Sequence, residues 1–475
     1  MEHVVVIGGG LAGLAAAEAL AAAATVCRVT LVEASGRPGG VIATFQGDGW
    51  LVERSADSFL AARPEGMELV TRLGLGPQLV GIAPAVRRAL IWHAGRAVAA
   101  PAGFRLLAPG RVGGILTTPL LSLSGRLRVL AERCVPPRRP PPDDESLASF
   151  AGRRLGRQAF ERLVQPLAAG IWTADPNRLS MAAACPDFLA MERTHGSLWA
   201  GERARLRRAP DGAAAGARYG QFVTLAAGME TLPARLAATL ADRGVAFVPA
   251  VAGSIGRDTA GRWRIPLTAA GPLPDLEADA VVVAAPAPAA ARIVADVHAP
   301  LAADLAAIEY AGSAVVSLGF PRAAVAHPLD AAGMVVPRAA GRRALAVSFS
   351  SSKFPGRAPP GCVLVRVFVG GALDPHTAAL PDAELAVLAR DEVAILIGAT
   401  GEPLLVQIDR WQGAMPQYHV GHLERVARIE AAARAIGRFA LAGAAYRGVG
   451  IPQVIASGQA AAAAVLGAAR PADGG

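Results

Sequence analysis

Cysteine is scarce in this sequence, and lysine is almost absent from it. The 475 residues include four cysteines, which are scattered and form no CxxC pair: Cys27, Cys134, Cys185 and Cys362. Such spacing favours reduced thiols in a reducing compartment over disulfides or a metal site, so we expect no bound metal. Lys353 is the sole lysine among 47 lysines and arginines, so arginine carries almost all of the positive charge.

Long runs of strongly apolar residues are also missing. Hydrophobic residues make up 53% of the chain, but many of them are alanines. No window offers the roughly 20 consecutive apolar residues of a membrane span, so we expect no transmembrane helix. The first apolar run follows a single acidic residue and contains a glycine motif, which is unlike a signal peptide. These absences predict a mature start and a cytoplasmic protein.

The charge balance is basic. A net charge of +9 at pH 7 suits an anionic partner such as nucleic acid, lipid head groups or a substrate with carboxylates. The sequence contains no zinc-finger spacing, no aromatic RNA-binding motif and no interleaving of basic and aromatic residues. We therefore expect no nucleic-acid partner, and charge alone does not choose between lipid and a carboxylate substrate.

A glycine motif opens the chain. The run Val4–Gly8 is continuous and β-branched, as in a buried parallel strand. The pattern Gly8-x-Gly10-x-x-Gly13 follows, and Leu14–Ala24 continues with helical character. The first glycine permits a tight turn, the second lets a pyrophosphate approach the backbone, and the third lets the helix pack on the sheet. The helix N-terminus then offers free N–H groups and a positive dipole end to the phosphates.

An acidic residue follows the second predicted strand, as a dinucleotide site requires. The run Val29–Val32 ends at Glu33, 20 residues after Gly13. A carboxylate at this spacing can accept hydrogen bonds from the ribose hydroxyls of an adenosine, and it disfavours a 2′-phosphate. A second glycine pair, Gly39-Gly40, comes next. Such a pair after the ribose acid is typical of FAD enzymes, so the sequence favours FAD over NAD.

A second strand, glycine turn and helix are predicted near the C-terminus. The apolar run Phe439–Leu441 precedes GAAYRGVGIPQVIASG. FAD is long, and negative charge gathers near N1 and O2 of its reduced ring, where a second helix N-terminus can donate hydrogen bonds. Gly448, Gly450 and Pro452 suit such a turn and the first helical positions. The alternative interpretation is a plain connection between secondary-structure elements.

Several segments together resemble one family. GGGLAG, RPGG and AAYRGVGIP are similar to the flavin-dependent amine oxidase-like superfamily. Within it, the chain resembles the oxygen-dependent protoporphyrinogen oxidases through SADSFL, RLGRQAFERLVQPLAAGIWTADPNRLS, FSSSKFPGRAPPG, VFVGG, RWQGAMPQYHVGHLERV and AYRGVGIP. These segments come in the family's order and span nearly the whole chain, so the resemblance is specific.

The resemblance implies an α/β fold (α+β overall) with a Rossmann-like FAD-binding domain, a mixed-sheet substrate domain and a helical membrane-facing domain. The FAD-binding domain is expected to be discontinuous, over residues 1–88, 219–295 and 432–471. The substrate-binding domain is expected over residues 89–100, 188–218 and 296–431. Short β-rich runs and turns alternate in 301–430, which suits an antiparallel sheet beneath a substrate pocket.

The helical domain is expected over residues 101–187. Apolar residues recur there at helical spacing with arginines on the opposite face, and the proline-rich segment Val135–Glu145 predicts a linker. An arginine-lined apolar surface can lie on an anionic bilayer without spanning it. Ordinary solvated amphipathic helices are the alternative.

The implied activity is the six-electron oxidation of protoporphyrinogen IX to protoporphyrin IX in heme biosynthesis, with O2 as acceptor and H2O2 as by-product. The flavin performs the chemistry, so no catalytic side chain is expected. Coproporphyrinogen III, oxidised to coproporphyrin III, is the alternative substrate, and the sequence does not separate the two. The resemblance also implies peripheral association with the inner face of the cell membrane, and a homodimer is a further expectation.

The resemblance assigns cofactor contacts residue by residue. In the first part of the chain they are Gly8, Gly9, Gly10, Leu11, Ala12, Gly13, Glu33, Ala34, Val41, Ser55, Ala56, Asp57 and Ser58. Further along they are Val251, Trp411, Ala444, Val449, Gly450 and Ile451. The backbone of Val251 would meet the adenine edge, and the turn that contains Val449, Gly450 and Ile451 would meet the flavin ring.

Four residues match the family's substrate pocket. Arg88, before the run ALIWHAG, would pair with a propionate, and Arg87 is the adjacent alternative. Phe368 of VFVGG would stack on the tetrapyrrole. Val335 and Gly170 would form the apolar walls. The segments SADSF, GIWTADP and GVGIPQV depart from the family pattern, which affects the expected shape of the pocket and not the choice of FAD.

Two other functions fit parts of the sequence. A flavin amine oxidase commonly uses a lysine near the flavin and two aromatic residues around the amine. Lys353 lies between proline and glycine residues in a segment that predicts a solvated loop, and Tyr446 could form half of an amine cage. A non-catalytic flavin-binding scaffold is the alternative outside enzymes, and the cofactor motifs at both ends argue against it.

Overall fold

Two β-sheets of different construction, with helices on their faces, form this protein. A computed structural model describes residues 1–23, 27–138, 144–208, 221–271 and 273–467. None of the helices in these ranges is both long enough and apolar enough to cross a bilayer.

The first sheet is parallel and has five strands, in the spatial order Ala246–Pro249, Cys27–Glu33, Glu2–Ile7, Ala280–Val283 and Phe439–Leu441. Its central strands are rich in valine because both faces are covered. Val4 and Val6 point into one apolar cluster, whereas Val5 and Ile7 point into another on the opposite face. The predicted Rossmann-like sheet is therefore confirmed.

Helices cover both faces of this sheet. On the face of Val4 lie the helices Leu11–Ala21, Pro64–Arg72, Thr231–Asp242 and Ile451–Gly467. On the other face lie the helices Ala287–Ile293, Ala299–Ala306 and His422–Ile436 and the antiparallel strands Gly256–Arg257, Trp263–Ile265 and Leu276–Ala278. The first and last helices of the chain pack closely, because a Cβ on Gly458 would lie 2.1 Å from the carbonyl oxygen of Ala12.

The second sheet is mixed and has seven strands, in the spatial order Leu405–Pro416, Tyr310–Pro321, Cys362–Gly370, Ala344–Ser348, Gly333–Val335, Ala89–His93 and Arg96–Ala99. Gly333–Val335 and Ala89–His93 run parallel, and all other neighbours are antiparallel. The helix Asp382–Ile397 closes one face, with buried residues at helical spacing. The interpretation of 301–430 as β-rich runs and turns misses this helix.

Short helices follow the strand Arg96–Ala99 along the chain. They are Val112–Thr117, Leu123–Leu130, Leu147–Leu155, Arg157–Ala159, Gln165–Trp172, Met181–Ala184, Pro186–His195 and Leu198–Arg208. Phe150, Leu163 and Trp199 belong to the apolar cluster that joins them. The helices continue past residue 187, through residues that the sequence assigns to the substrate domain. Of the predicted linker, residues 139–143 lie outside the described residues.

Small ribbons and single turns connect these layers. The ribbons pair Thr44–Gly47 with Trp50–Glu53, Phe222–Leu225 with Phe59–Leu60 and Leu79–Gly81, Phe104–Arg105 with Ala108–Pro109, and Val251–Ala252 with Leu267–Thr268. One-turn helices span Ser350–Lys353 and Pro375–Ala378. The first long helix begins at Leu11, earlier than the predicted Leu14–Ala24, because the chain already turns helically after Gly10.

Candidate cofactor and substrate site

The first glycine turn has the close contacts that its motif predicts. Gly8 has a φ of +109°, and a Cβ on Gly13 would lie 1.8 Å from the carbonyl oxygen of Gly8. Both positions therefore need glycine. At Gly10, by contrast, φ is −68° and a Cβ would meet nothing within 4 Å. Open space beside Gly10, at a helix N-terminus without a side-chain cap, fits a pyrophosphate.

Glu33 lies next to this turn. Its Oε2 accepts a hydrogen bond from the N–H of Gly9 at 2.6 Å, and its Oε1 accepts one from the N–H of Ser35 at 2.7 Å. The carbonyl oxygen of Gly9 accepts from the N–H of Gly39 at 2.8 Å. The glycine turn, the acid and the second glycine pair thus meet at one place, and the backbone orients the carboxylate.

Three predicted cofactor residues around this turn expose apolar side chains. Val41 and Val251 are 45% and 53% exposed, and Ala34 is exposed as well. The N–H of Ala250 donates to the carbonyl oxygen of Glu33 at 3.1 Å, so Val251 lies beside the acid. Exposed apolar side chains around a glycine turn form a surface that a bound adenosine would cover.

Side chains from another segment hold the second glycine turn. The hydroxyl of Tyr418 donates to the carbonyl oxygen of Ala444 at 2.5 Å and accepts from the N–H of Gly448 at 2.8 Å. Nε2 of His422 lies 2.9 Å from the carbonyl oxygen of Tyr446, and the His422 ring stacks on Tyr418 with 4.1 Å between centroids. Because a carbonyl oxygen can only accept, Nε2 carries the hydrogen.

Sequence reasoning missed Tyr418 and His422. Both lie in RWQGAMPQYHVGHLERV, a segment similar to the family, but only Trp411 received a role there. Their hydrogen-bond partners are 24 to 30 residues away in the chain, and no spacing motif of the kind that joins the first turn to Glu33 reports them. Burial lowers the pKa of His422, more than the hydrogen bond to Tyr446 raises it, which keeps the ring neutral.

The last helix begins as predicted. Ile451–Gly467 starts directly after Gly450, with Pro452 in its first turn. A Cβ on Gly450 would lie 2.5 Å from Oε1 of Gln453. Val449 packs against the apolar cluster of the helical region. Within the described residues, no hydrogen bond takes the N–H of Val449, Gly450 or Ile451, so these groups are available to a ligand at the helix N-terminus.

The predicted cofactor segment Ser55–Ser58 lies against the seven-stranded sheet. Nζ of Lys353 and Oδ2 of Asp57 are 2.6 Å apart. Nε1 of Trp411 donates to the carbonyl oxygen of Arg54 at 2.8 Å, so Trp411 contacts the backbone just before this segment. The sheet therefore positions a loop of the cofactor region.

The prediction of a solvated Lys353 is wrong. Lys353 ends the one-turn helix Ser350–Lys353, and 9% of it is exposed. The neighbouring prolines and glycines indicate a loop, but they do not report the carboxylate of Asp57, which lies 296 residues away in the chain. Burial alone would raise the pKa of Asp57, yet Lys353 and Arg366 outweigh it and hold this pKa well below its ordinary value.

Three of the four predicted substrate residues lie together. A Cβ on Gly170 would be 3.6 Å from Cγ1 of Val335. Phe368, Ala346 and Val335 follow one another across three adjacent strands. Phe368 is half-buried, and its neighbour Val367 points into the cluster under the helix Asp382–Ile397. Because side chains alternate along a strand, Phe368 lies on the opposite, open face.

Arg88 does not join this row. Its guanidinium pairs with the carboxylate of Asp330 and also donates from Nε to the Asp330 carbonyl oxygen at 2.9 Å. Leu90 and Trp92, at the next alternate positions, face the cluster under the helix Asp382–Ile397. The alternative, Arg87, donates from Nε to a backbone carbonyl oxygen at 3.0 Å. Contact of either arginine with a substrate carboxylate stays a prediction.

The aromatic cage of an amine oxidase is not supported at Tyr446. This residue is 5% exposed and belongs to an apolar cluster with Val426 and Phe439 behind the parallel sheet. No group of three or more histidine, cysteine or acidic side chains in the described ranges could hold a metal ion. Two uncapped glycine turns, open space at Gly10 and a backbone-oriented acid fit FAD instead.

Comparisons with known proteins agree with this geometry. The family model described as Flavin containing amine oxidoreductase matches residues 11–466. A relative from Bacillus subtilis (strain 168), named Coproporphyrinogen III oxidase, is 32% identical over 478 residues, which cover 98% of each chain. A relative of the same name from Propionibacterium freudenreichii subsp. freudenreichii is 37% identical over 496 residues, which cover 98% of this chain and 91% of the relative.

A solved structure shows the same architecture. The crystal structure from Exiguobacterium sp. 255-15, assigned to protoporphyrinogen oxidase, superposes with a TM-score of 0.85 and 29% identity over 98% of each chain. The matching family contains flavin, so the cofactor is FAD. The chain belongs to the flavin containing amine oxidoreductase family, in the branch that contains the porphyrinogen oxidases.

Proposed function

We propose that the protein is an FAD-dependent oxidase of heme biosynthesis that converts coproporphyrinogen III to coproporphyrin III. Similarity to two coproporphyrinogen III oxidases over 98% of the chain carries this proposal. The row of Phe368, Ala346 and Val335 supports a broad apolar substrate. Protoporphyrinogen IX, the substrate expected from the sequence motifs, is the second candidate, favoured by likeness to the Exiguobacterium structure.

The chain's own residues bind and orient the substrate. The exposed face of Phe368 offers offset stacking to a tetrapyrrole. Gly170 leaves space beside Val335, where a side chain would narrow the pocket. Bound FAD supplies the hydride acceptor, which O2 then reoxidises. Overall, one porphyrinogen and three O2 give one porphyrin and three H2O2, which balances the six hydrogens removed.

The two candidate substrates differ in charge, and a charged side chain at the edge of the pocket would discriminate between them. They differ at two side chains, which are propionates in coproporphyrinogen and vinyl groups in protoporphyrinogen. Arg338 is exposed and lies three residues after Val335. Its backbone N–H donates to Oε1 of Gln165 at 3.2 Å. Gln165 starts the helix that carries Gly170. A cation at this edge would favour the substrate with more carboxylates.

Turnover of both substrates tests the proposal. The FAD-loaded protein is mixed with each freshly reduced porphyrinogen, and porphyrin fluorescence and oxygen uptake are followed. We expect kcat/KM for coproporphyrinogen III to be about 10-fold or more above that for protoporphyrinogen IX, since two carboxylates differ. The reverse order would favour the second candidate. A flavin-loaded protein that oxidises neither would contradict the proposal.

A matched pair of variants tests the stacking residue. Phe368→Leu removes a ring from the open face of the sheet, whereas Phe349→Leu removes a fully buried one from the cluster under the opposite face. We expect Phe368→Leu to lower kcat/KM by roughly 3- to 10-fold, because an aromatic contact contributes about 0.5–1.5 kcal/mol. Phe349→Leu should lower the free energy of unfolding and leave KM unchanged.

We also propose that the helical region attaches peripherally to an anionic membrane surface. Its helices Val112–Thr117 and Leu123–Leu130 expose four large apolar side chains by 45–69%: Val112, Leu116, Leu123 and Leu127. Arg111 and Arg133 are exposed beside them. Apolar side chains flanked by arginines suit the boundary between head groups and acyl chains.

Vesicle flotation tests this attachment. The wild-type protein should float with vesicles that contain phosphatidylglycerol and stay unbound with neutral ones. Leu123→Glu should reduce the bound fraction strongly. Leu404→Glu is the matched control, because Leu404 is 60% exposed but lies outside the helical region. Equal flotation of both variants, or no flotation of the wild type, would contradict the proposal.

A further inference from the structure

Five charged side chains meet between the loop before Phe59 and the seven-stranded sheet. They are Glu53, Asp57, Lys353, Arg357 and Arg366, here called the charge cluster. Lys353 and Asp57 are 2.6 Å apart, Arg366 and Asp57 3.5 Å, and Arg357 and Glu53 3.4 Å. Their side chains are between 1% and 15% exposed. Three cations therefore face two carboxylates, and all five side chains are largely buried.

The charge cluster joins the segment of Glu53 and Asp57 to two later segments, those of Lys353 and Arg366, about 300 residues further along the chain. Asp57 belongs to the predicted cofactor segment Ser55–Ser58. Lys353 ends the one-turn helix Ser350–Lys353. Arg366 lies two residues before Phe368, its guanidinium is 5.2 Å from the centre of the Phe368 ring, and it donates to the carbonyl oxygen of Ser55. One carboxylate therefore receives one cation from the one-turn helix and one from a strand of the seven-stranded sheet.

Apolar packing between the same segments stops short of this place. Trp50, Val52 and Leu364 form a small cluster on one side of the charges. Beyond this small cluster, the side chain of Phe59 packs in the apolar cluster of the parallel sheet. The side chain of Val367 packs in the cluster under the helix Asp382–Ile397. Next to Phe368, the contact between the cofactor loop and the sheet is therefore electrostatic, and its geometry depends on the ions themselves.

We propose that Lys353 is a positioning residue of the oxidase: acting through Asp57, it fixes the segment Ser55–Ser58 against the strand that carries Phe368. This inference rests on the proposed function, because positioning matters only if substrate and flavin meet there. A lysine is a compact point charge on a flexible stem. Loss of it leaves Asp57 with Arg366 as its ion-pair partner and with the hydroxyl of Ser58, which donates to Oδ1 at 2.7 Å. A displacement of about 1 Å at a reacting pair can cost on the order of 10²-fold in rate.

Kinetics of three variants test the role. At saturating FAD, Lys353→Met should lower kcat by roughly 10- to 100-fold with KM changed less than about 3-fold, because orientation is lost and not binding. Lys353→Arg should recover most of kcat. Arg342→Met is the matched control, because Arg342 pairs with a buried carboxylate, Glu392, at 3.0 Å on the far face of the same sheet. Wild-type kcat in Lys353→Met, or an equal loss in Arg342→Met, would overturn the proposal.

Amine labelling tests the buried ion pair without an assay of enzyme activity. Lys353 is the sole side-chain amine of the chain, so an acylating reagent reports on it alone after peptide mass analysis. With Nα-acetyl-lysine as an internal standard, Lys353 of the folded holoprotein should react at least about 10-fold more slowly, since ion pairing and burial withhold the amine. Asp57→Asn should restore much of the reactivity.

The two experiments separate the possible failures. Rapid labelling of Lys353 in the folded wild-type protein would overturn the inference even if the wild type oxidises porphyrinogens. Slow labelling in a wild-type protein that oxidises neither porphyrinogen would contradict the proposed function and leave the ion pair in place.

Discussion

Both glycine turns lead from a strand of the parallel sheet into a helix, yet different contacts hold them. At the first turn, a Cβ on Gly13 would lie 1.8 Å from the carbonyl oxygen of Gly8. This steric contact lies within the turn itself, although Glu33 and Gly39 also bind Gly9 by hydrogen bonds. At the second turn, Tyr418 and His422 bind three backbone groups from a segment 24 to 30 residues earlier. Hydrogen bonds from outside shape it.

This difference predicts how each turn responds to substitution. A steric contact between backbone atoms cannot be relieved by a rotamer change, so one added methyl group at Gly13 is enough to break the first turn. A hydrogen-bonded frame loses part of its free energy when one partner is removed, and the rest of the frame stays. Substitutions should therefore act abruptly at the first turn and gradually at the second.

Gly13→Ala should have the largest effect. The added methyl group would overlap the carbonyl oxygen of Gly8, so we expect a loss of about 4 kcal/mol or more in the free energy of unfolding and no retained FAD. Urea unfolding and the flavin absorbance of the purified protein measure both. Gly113→Ala is the control, because Gly113 is helical and a Cβ there would meet nothing within 4 Å. Retention of FAD in Gly13→Ala would break the comparison.

Gly10→Ala should separate folding from cofactor binding. A Cβ at Gly10 meets no protein atom within 4 Å, so the free energy of unfolding of the FAD-free protein should change by less than about 1 kcal/mol. The methyl group would occupy space needed by the pyrophosphate, and we expect FAD binding to weaken about 10- to 100-fold, or roughly 1.4–2.8 kcal/mol. Fluorescence titration with FAD measures this. Unchanged affinity would place the pyrophosphate elsewhere.

Tyr418→Phe should have a moderate effect on the second turn. It keeps the ring stacked on His422 but removes the hydroxyl between Ala444 and Gly448. We expect a cost of about 1–2 kcal/mol, because two backbone groups lose a partner, and a several-fold weaker FAD affinity. Tyr310→Phe is the matched control, since the hydroxyl of Tyr310 accepts one backbone hydrogen bond, from the N–H of Ala287 at 2.9 Å. Equal FAD affinities in the two variants would remove Tyr418 from the cofactor site.

The pH dependence at His422 should be the smallest effect. Burial holds the pKa of His422 below its ordinary value of 6.5, so the unfolded chain takes up a proton that the folded chain refuses. Stability from this residue is complete above pH 6.5 and is lost as the pH falls below it towards the lowered pKa of the folded state. Unfolding measured at several pH values should show a shallower slope in His422→Phe.

Other histidines set the background for that measurement. The pKa values of four further histidines are also lowered, chiefly by burial: His3, His93, His327 and His419. The wild type should therefore lose stability in acid through several residues, and His422→Phe should remove one share of the slope. An unchanged slope would mean that the second turn does not depend on a neutral His422.

Predictability followed whether a known sequence motif links the interacting residues. The first turn and Glu33 lie within about one strand–helix–strand unit, so spacing alone indicated their chemistry. Lys353 was misassigned because its partner Asp57 lies 296 residues away. Arg88 was assigned to the pocket by likeness to the family. Its side chain pairs with Asp330, and its contact with a substrate carboxylate stays a prediction. The helix Asp382–Ile397 was missed within a range interpreted as β-rich.

The amino-acid order by itself determined the parallel valine-rich strands, the glycine turns and the choice of FAD, because each follows a pattern of residue types within one strand–turn–helix or strand–helix–strand unit. Only the tertiary structure decided which backbone groups remain free at the second turn and which charges meet under Phe368. Those depend on contacts between residues far apart in the chain, such as Tyr418 with Gly448 and Lys353 with Asp57. Burial makes such contacts strong, and burial is a property of the folded chain.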